Sequence, residues 1–450
     1  MKKNEIIYNK TNMKELNLNI SNNLIKLAKA IKKAGGNVYI VGGYVRNALL
    51  ELANTDMDIC GNLTYDKVLD IANNLGFNAV VVNKKLGTVL IKVSDDEEYE
   101  YTTFRKENYS KGGNHSPDDV DFVTDIKLDA SRRDFTANSL YYDILTGEIK
   151  DFYSGLEDIE NKVLRCIKTP EEVFESDGLR ILRLIRIANE LGFSIDQKTR
   201  ECAKTYAHQL CDISGERVLK ELKKIVVSDF KYDTTDSKEN FLDNFNHINF
   251  YKQIFDSKFD KFTIGMKYRK EFFNLPKNFR YMGFWLLFLA NYFGFRYIAP
   301  AQVVFTCNTY LGASGLKESN NNIATIVSCY NIFQEIIFNK KRNYRHIIMD
   351  FYNSDSDVKK FLEAFVPEEY ITLKKDVKIL RDRNIPLSFE ELNITNTELI
   401  NEARIEQHIT SKIRMRLLLS CINEDIANTK DNLIAEAKYL NIKILNSKKA

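Results

Sequence analysis

Two carboxylates one residue apart, Asp56 and Asp58, follow shortly after the run Val41-Gly-Gly-Tyr-Val-Arg46. On a β-strand, side chains i and i+2 leave the same face, so this pair presents hard oxygen donors side by side. Such donors suit magnesium, which lowers the pKa of a hydroxyl nucleophile and clamps a pyrophosphate leaving group. The turn at Gly42 and Gly43 lets backbone N–H groups approach a polyphosphate at a helix N-terminus, and Arg46, one turn in, supplies a cation. Together the two pieces suit nucleotidyl transfer. Each alone has a plainer reading, as a glycine turn that opens a helix or as a solvent-facing Asp pair. Glu100 is the candidate third carboxylate, on an expected strand that can pair beside Asp58. Its acidic neighbours Asp95, Asp96, Glu97 and Glu98 leave that choice open on pattern alone.

Two further blocks are chemically rich. In Ser131-Arg-Arg-Asp-Phe-Thr-Ala-Asn138, Arg133 can neutralise phosphate, and Asp134 or Asn138 can hydrogen-bond a ribose hydroxyl. In Glu175-Ser-Asp-Gly-Leu-Arg-Ile-Leu-Arg-Leu-Ile-Arg186, Asp177, Arg180, Arg183 and Arg186 recur every third residue, the spacing of one helix face. An amphipathic helix with a solvated charged face is the competing reading, since Ile181, Leu184, Ala188 and Leu191 form an apolar side. Solvated faces usually mix Lys and Glu, whereas this one carries Arg and Asp. Arg offers planar donors to a phosphate or base edge and Asp accepts from an exocyclic amine, so the pair can read a base without a template.

The elements that must position these residues follow from periodicity. A helix is expected over 23–35, where Leu24, Leu27, Ile31 and Ala34 share a face, then a buried strand over 37–41 and a helix over 44–53. Strands fit 57–60, 79–82, 88–93, 99–104 and 141–143, with a helix near 66–75. From Pro170 onward strand signals nearly vanish, and 171–192 and 216–227 show continuous helix periodicity. The expected class is α+β, a mixed β-sheet head followed by an all-helical neck, body and tail. The boundaries read as an N-terminal extension 1–22, head 23–152, neck 153–235, body 236–380 and tail 381–450, with a polar linker near 229–238.

Composition narrows the class. A chain of 450 residues with 44% hydrophobic content supports several packed cores, and no run reaches the roughly eighteen apolar residues of a membrane span. A cytoplasmic protein is expected. The seven cysteines are scattered without a Cys-x-x-Cys pair, and the five histidines have no metal-ligand spacing, so any metal must sit on oxygen. The net charge of +3 decides nothing about nucleic acid, because a local basic stripe can coexist with acid elsewhere. Phe272, Phe273, Phe284 and Trp285 read as core packing rather than base stacking.

With these motifs the chain resembles the class II CCA-adding enzymes, of the polymerase β-like superfamily that also holds bacterial poly(A) polymerases. The resemblance runs nearly end to end. Gly42-Gly-x-x-Arg46, Asp56-x-Asp58, Arg132-Arg-Asp-Phe-Thr-x-Asn138 and Asp177-Gly-Leu-Arg-x-Leu-Arg-x-x-Arg186 follow the family's order. Lesser matches are Thr102-Thr-Phe-Arg105, Asp151-Phe-Tyr-Ser-Gly155 and Ser214-Gly-Glu-Arg-Val-Leu-Lys-Glu-Leu222. Three departures stand out: Asn47 where Asp is common, Ser176 where Glu is usual, and Asn114-His-Ser-Pro117 in place of a more basic loop.

The resemblance implies template-independent addition of C, C and A to the 3′ end of tRNA from CTP and ATP. Asp56 and Asp58 would bind Mg2+, with Glu100 as the third acidic residue. Gly42, Gly43, Arg46 and Arg133 would contact the triphosphate, with Asp134 and Asn138 near the sugar. Asp177 and Arg180 would select the base, and Arg183 and Arg186 would complete the pocket. Residues 105–121, with Arg105 and His115, correspond to a mobile loop linked to the switch towards ATP. The tRNA acceptor arm and elbow would be held mainly through phosphates, with Lys220, Lys223, Lys224, Arg404, Lys412, Arg414 and Arg416 as candidates, and neither a membrane nor an obligate protein partner is implied. The alternatives are CC-only, A-only or poly(A) addition, or a non-catalytic binder of structured RNA.

Overall fold

Ser21 starts the first helix because its hydroxyl accepts from the Leu24 N–H at 3.0 Å, and Leu24, Leu27, Ala28 and Ile31 then bury one stripe. The computed structural model describes residues 6–8, 16, 18, 20–53, 57–108, 119–232, 235–255, 262, 266–338 and 344–447. The chain divides into two compact units, Met1–Phe262 and Thr263–Ala450.

The strands of the first unit are β1 (Ile6–Tyr8), β2 (Val38–Val41), β3 (Asp58–Gly61), β4 (Asn78–Asn83), β5 (Thr88–Lys92), β6 (Glu98–Thr103), β7 (Arg105–Asn108), β8 (Asp119–Phe122), β9 (Tyr141–Asp143), β10 (Ile149–Asp151), β11 (Val163–Leu164) and β12 (Ser194–Ile195). Its helices are α1 (Asn22–Lys33), α2 (Gly43–Leu49), α3 (Tyr65–Asn74), α4 (Ile126–Ser131), α5 (Gly155–Glu160), α6 (Pro170–Ser176), α7 (Leu179–Leu191), α8 (Gln197–Tyr206), α9 (Gly215–Val226), α10 (Thr235–Ile248) and α11 (Tyr251–Phe255). Eight strands form one mixed sheet in the order β1-β10-β9-β2-β3-β6-β5-β4, in which β3 and β6 run parallel and the other pairs antiparallel.

The two faces of the sheet differ. Ile40, Ile59 and Tyr101 share one face by register, and Tyr99 on that side bonds Ser21 at the start of α1. On the other face Tyr39, Val41, Cys60, Phe104 and Tyr141 form a buried cluster with Ala130 of α4. Asp58 and Glu100 lie on this second face by strand alternation, beyond the edge of the apolar cluster.

One expected helix is corrected, and three other segments gain detail. Within the expected extension 1–22, β1 (Ile6–Tyr8) pairs with β10 at the sheet edge. The stem of the 105–121 segment is an antiparallel hairpin of β7 and β8. The continuous helix over 171–192 breaks at Asp177, whose φ of −154° and ψ of 104° are extended, leaving α6 and α7. Beside the expected linker near 229–238, Ser228 and Asp229 are buried and α10 packs along α7, and the boundary between the two compact units falls after Phe262.

The second unit is helical among its described residues: α12 (Met266–Asn274), α13 (Lys277–Tyr292), α14 (Pro300–Leu311), α15 (Asn320–Phe338), α16 (Tyr344–Tyr352), α17 (Ser356–Phe365), α18 (Pro367–Asp382), α19 (Asn396–Asn401), α20 (Thr410–Ile422) and α21 (Lys430–Ser447). Phe272, Phe284 and Trp285 are buried in its core, and Phe273 packs edge-on against Phe272 at 5.2 Å between ring centres. Thr395 and Glu398 make a reciprocal capping box at α19. Arg414 is held structurally, donating to the Phe389 carbonyl at 2.6 Å.

Candidate nucleotidyl-transfer site

Gly42 adopts φ 78° and ψ −138°, a backbone region closed to residues with a Cβ, and thereby turns the chain from β2 into α2. The turn is flanked by two guanidinium groups. A Cβ on Gly43 would lie 3.3 Å from Arg46 Nη2, and one on Gly42 would lie 3.9 Å from Arg133 Nη1. The helix that follows has only seven residues and ends at Leu49, short of the expected 44–53, so the positive charge here comes from arginines more than from a helix dipole.

Across the sheet, Asp58 on β3 stands opposite Glu100 on the parallel strand β6, and both residues are exposed. By register Glu100, rather than one of its acidic neighbours, is the residue directly opposite Asp58. Asp56 and His115 lie outside the described residues.

Arg46 is almost wholly buried, and its guanidinium donates to Asn47 Oδ1 from Nε at 3.1 Å and Nη2 at 2.8 Å, and from Nη1 to Asn138 Oδ1. Asn138 passes the chain on to Asp134 Oδ1 at 3.1 Å, and Asp134 Oδ2 accepts from Arg183 Nε at 2.9 Å and Nη2 at 2.6 Å. Burial pushes the Asp134 carboxyl up, but Arg183, Asn138 and Arg180 outweigh it and hold the group well below the ordinary carboxylate range. Burial pulls the Arg46 guanidinium down from its usual value, with Tyr232, Glu190 and Asp134 opposing.

Arg133 is organised by a residue the sequence pattern did not single out. Asp129, fully buried on α4, accepts from Arg133 Nη2 at 3.2 Å, Arg132 Nε at 2.8 Å, the Tyr141 hydroxyl at 2.6 Å and the Arg105 N–H at 3.1 Å. Burial raises its pKa, yet Arg132, Arg133 and Tyr141 bring it down to about 2. The available signal was spacing: Asp129 precedes Arg132 and Arg133 by three and four residues, one helical turn. Arg133 also lies over the Tyr141 ring, 5.1 Å from its centre. Arg105 bonds the carbonyl of Leu86 at 3.0 Å and pairs with Glu107 at 2.8 Å, so it anchors the base of the hairpin.

The third block joins the second. Arg180 Nη2 donates to the Arg132 carbonyl at 2.8 Å and Nη1 to Ser176 Oγ at 3.0 Å, beside a cavity of about 230 Å³ that Lys106, Arg132, Lys168 and Arg180 help to line. Asp177 caps the start of α7 by accepting from the Leu179 N–H at 3.1 Å, and its other oxygen lies 3.3 Å from Arg217 of α9. Arg186 is drawn away from this cluster, buried between Glu221 and Glu190, the latter at 2.9 Å.

Residues 38–165 match the family described as "Poly A polymerase head domain", and residues 192–235 match "Probable RNA and SrmB- binding site of polymerase A". A curated "CCA-adding enzyme" of Staphylococcus epidermidis is 27% identical over 91% of this chain and 95% of its own length. Residues 38–165 thus belong to the poly(A) polymerase head-domain family, and the chain is similar to a CCA-adding enzyme over most of its length. A second CCA-adding enzyme, from Streptococcus uberis, is 39% identical, but the match spans 45% of this chain and about half (49%) of that protein. The solved structure of the Bacillus stearothermophilus CCA-adding enzyme in complex with CTP shares the fold, with a TM-score of 0.59 at 20% identity over 94% of this chain and 98% of that one. The Thermotoga maritima CCA-adding enzyme complexed with tRNA has a TM-score of 0.56 at 18% identity, covering 94% of this chain and 96% of that one.

The likeness to CCA-adding enzymes implies a divalent metal. The donor chemistry fits one, since Asp58 and Glu100 offer hard oxygens on one exposed face. Among the described residues no group of three metal-donor side chains comes together, and the candidate that would make the third, Asp56, lies outside them. Among the same residues no helix is long and apolar enough to cross a membrane.

Proposed function

We propose that this protein adds C, C and A to the 3′ end of tRNA, using CTP and ATP in the cytoplasm with Mg2+ as the divalent metal. The observation that carries the reading is the pairing of Asp58 with Glu100 on a sheet whose neighbouring Gly42-Gly43 turn is flanked by Arg46 and Arg133. The alignment with a CCA-adding enzyme over 91% of the chain supports the same reading.

In this mechanism the tRNA 3′-hydroxyl attacks the α-phosphorus of the bound nucleotide, the bond to the β-phosphate oxygen breaks, and pyrophosphate leaves. Asp56, Asp58 and Glu100 would hold the metal, which activates the hydroxyl and neutralises charge on the leaving group when bound. Arg46 and Arg133 bind the triphosphate, and both are pre-oriented: Arg46 by Asn47 and Asn138, Arg133 by Asp129 and Tyr141. Asp177 and Arg180 select the base, Asp134 and Asn138 sit near the sugar, and Arg183 reaches that group through Asp134. Arg186 acts as a brace through Glu190 and Glu221. The polypeptide is read as a head 23–152, a neck 153–235, a body 236–380 and a tRNA-binding tail 381–450.

The test is to incubate the purified protein with tRNA lacking CCA, magnesium, and CTP, ATP or both, and to sequence the RNA ends. The expected product is a complete CCA end that disappears in Asp56→Ala/Asp58→Ala. CC-only or A-only ends would assign the protein to a divided pathway, and long A tails to poly(A) synthesis. No addition across several tRNAs would leave the RNA-binding alternative.

A further inference from the structure

Arg46 reaches helix α7 by two separate chains of contacts. The first runs through Asn138 and Asp134 to Arg183. The second begins at Asn47, which is buried and whose amide is used at both ends. Its Oδ1 accepts from Arg46, while its Nδ2 donates to the Ala53 carbonyl at 3.3 Å and to the Tyr232 hydroxyl at 2.7 Å. A carbonyl can only accept, so the Nδ2 must face Ala53 and the amide orientation is fixed. Next to Tyr232, Lys231 lies over its ring, 5.3 Å from the centre, and its Nζ is 3.3 Å from Glu190. Glu190 in turn holds Arg186, one helical turn beyond Arg183.

We infer that Asn47 and Tyr232 form a positioning latch that fixes the Arg46 guanidinium, and the turn leading towards Asp58, against the α7 helix. Neither side chain need touch substrate. Asn47 sets the direction of Arg46 from one side and restrains residues 50–53 from the other, and Tyr232 couples both to the far end of the arginine row on α7. The inference rests on the reading of this site as one that binds a nucleoside triphosphate, and it adds two positioning residues to it. The arrangement couples triphosphate grip to the helix proposed to select the base, so loosening it should weaken the grip on CTP and ATP alike.

The test uses full-length protein, equilibrium binding of CTP by calorimetry, steady-state addition to tRNA lacking CCA, and thermal melting. Tyr232→Phe removes one hydroxyl and keeps the ring, and the expected result is a Kd and KM for CTP raised about fivefold, the weight of one lost hydrogen bond, with kcat changed less than about twofold. Asn47→Ala should raise both constants further, and adding Tyr232→Phe to it should change nothing more, because the partner is already gone. Asn47→Asp, whose carboxylate can accept from Arg46 and the Tyr232 hydroxyl but offers no donor to the Ala53 carbonyl, should restore only part of the affinity. Additive effects of Asn47→Ala and Tyr232→Phe, or a lowered melting temperature with Kd and KM unchanged, would overturn the latch. Wild-type protein that binds CTP but adds no nucleotide would remove the proposed function while the binding cycle still tests the latch. Wild-type protein that binds no CTP removes both.

Discussion

At the scale of single residues, burial separates the carboxylate that holds the site, Asp129, from the exposed carboxylates Asp58 and Glu100 proposed to act in it. Asp129 is enclosed by Arg132, Arg133, Tyr141 and a backbone N–H, so its charge is committed to structure. Removing it with Asp129→Asn leaves two largely buried guanidiniums short of their counter-charge, at an expected cost of about 3 kcal/mol read by denaturant unfolding. The pH dependence follows from its depressed pKa. A carboxylate held at about 2 against an ordinary 3.8 contributes stability that is fully present above the ordinary value and is lost as pH falls through about 2. Asp129→Asn should therefore flatten that part of the acid limb; an unchanged limb would show that other carboxylates govern it. Asp58 and Glu100, exposed and adjacent, should behave in the opposite way. Asp58→Asn is expected to cut nucleotide addition by about a thousandfold or more while leaving the melting temperature within a few degrees, since it would remove a proposed metal donor at an exposed position. Glu100→Gln should cost less activity with equally little stability, and a Glu100→Gln enzyme at full rate would remove Glu100 from the metal cradle.

At the scale of elements, the turn between β2 and α2 separates backbone demands from side-chain demands. Gly42→Ala would force a Cβ into φ 78° and ψ −138°, a strain of about 1–3 kcal/mol, although its methyl would meet Arg133 only at an ordinary 3.9 Å. Gly43→Ala has no such backbone penalty but presses 3.3 Å from Arg46 Nη2. Melting should consequently fall more for Gly42→Ala, while the KM for CTP should rise in both; equal melting of the two proteins would show that the turn relaxes freely. This element was legible in the sequence, as were β2, β5, β6, β9, α1 and α3, because each carries a complete local pattern: alternation, a stripe, or a glycine stop. What escaped was non-local. Nothing in Ile6–Tyr8 announces pairing with β10, and the apolar period of 171–192 runs through Asp177 although the backbone there is extended. The motif residues were readable by type and order, whereas their long-range supports were not: Tyr141 meets Asp129 across 12 positions and Tyr232 meets Asn47 across 185.

At the scale of the whole molecule, the chemistry and the larger part of the helical mass fall in different units. Every described residue assigned to metal, triphosphate, sugar or base lies in Met1–Phe262, and the contacts that orient Arg46 close within that unit, through α7 and Tyr232. A fragment ending at residue 262 should therefore bind CTP with nearly the affinity of the full chain, because the described contacts that orient Arg46 all lie within that unit. Its hold on tRNA should differ. If the second unit grips the RNA backbone through lysines and arginines, each phosphate neutralised releases a counterion, and log K falls with log salt at about 0.7–0.9 per contact. The full chain should show the steeper slope, and at low salt the two proteins should converge less on tRNA than on CTP. Filter binding of tRNA across a salt series, beside calorimetry with CTP, measures both quantities on the same preparations. Equal slopes for fragment and full chain would mean that the first unit alone makes the phosphate contacts, and Thr263–Ala450 would then need a role other than gripping tRNA.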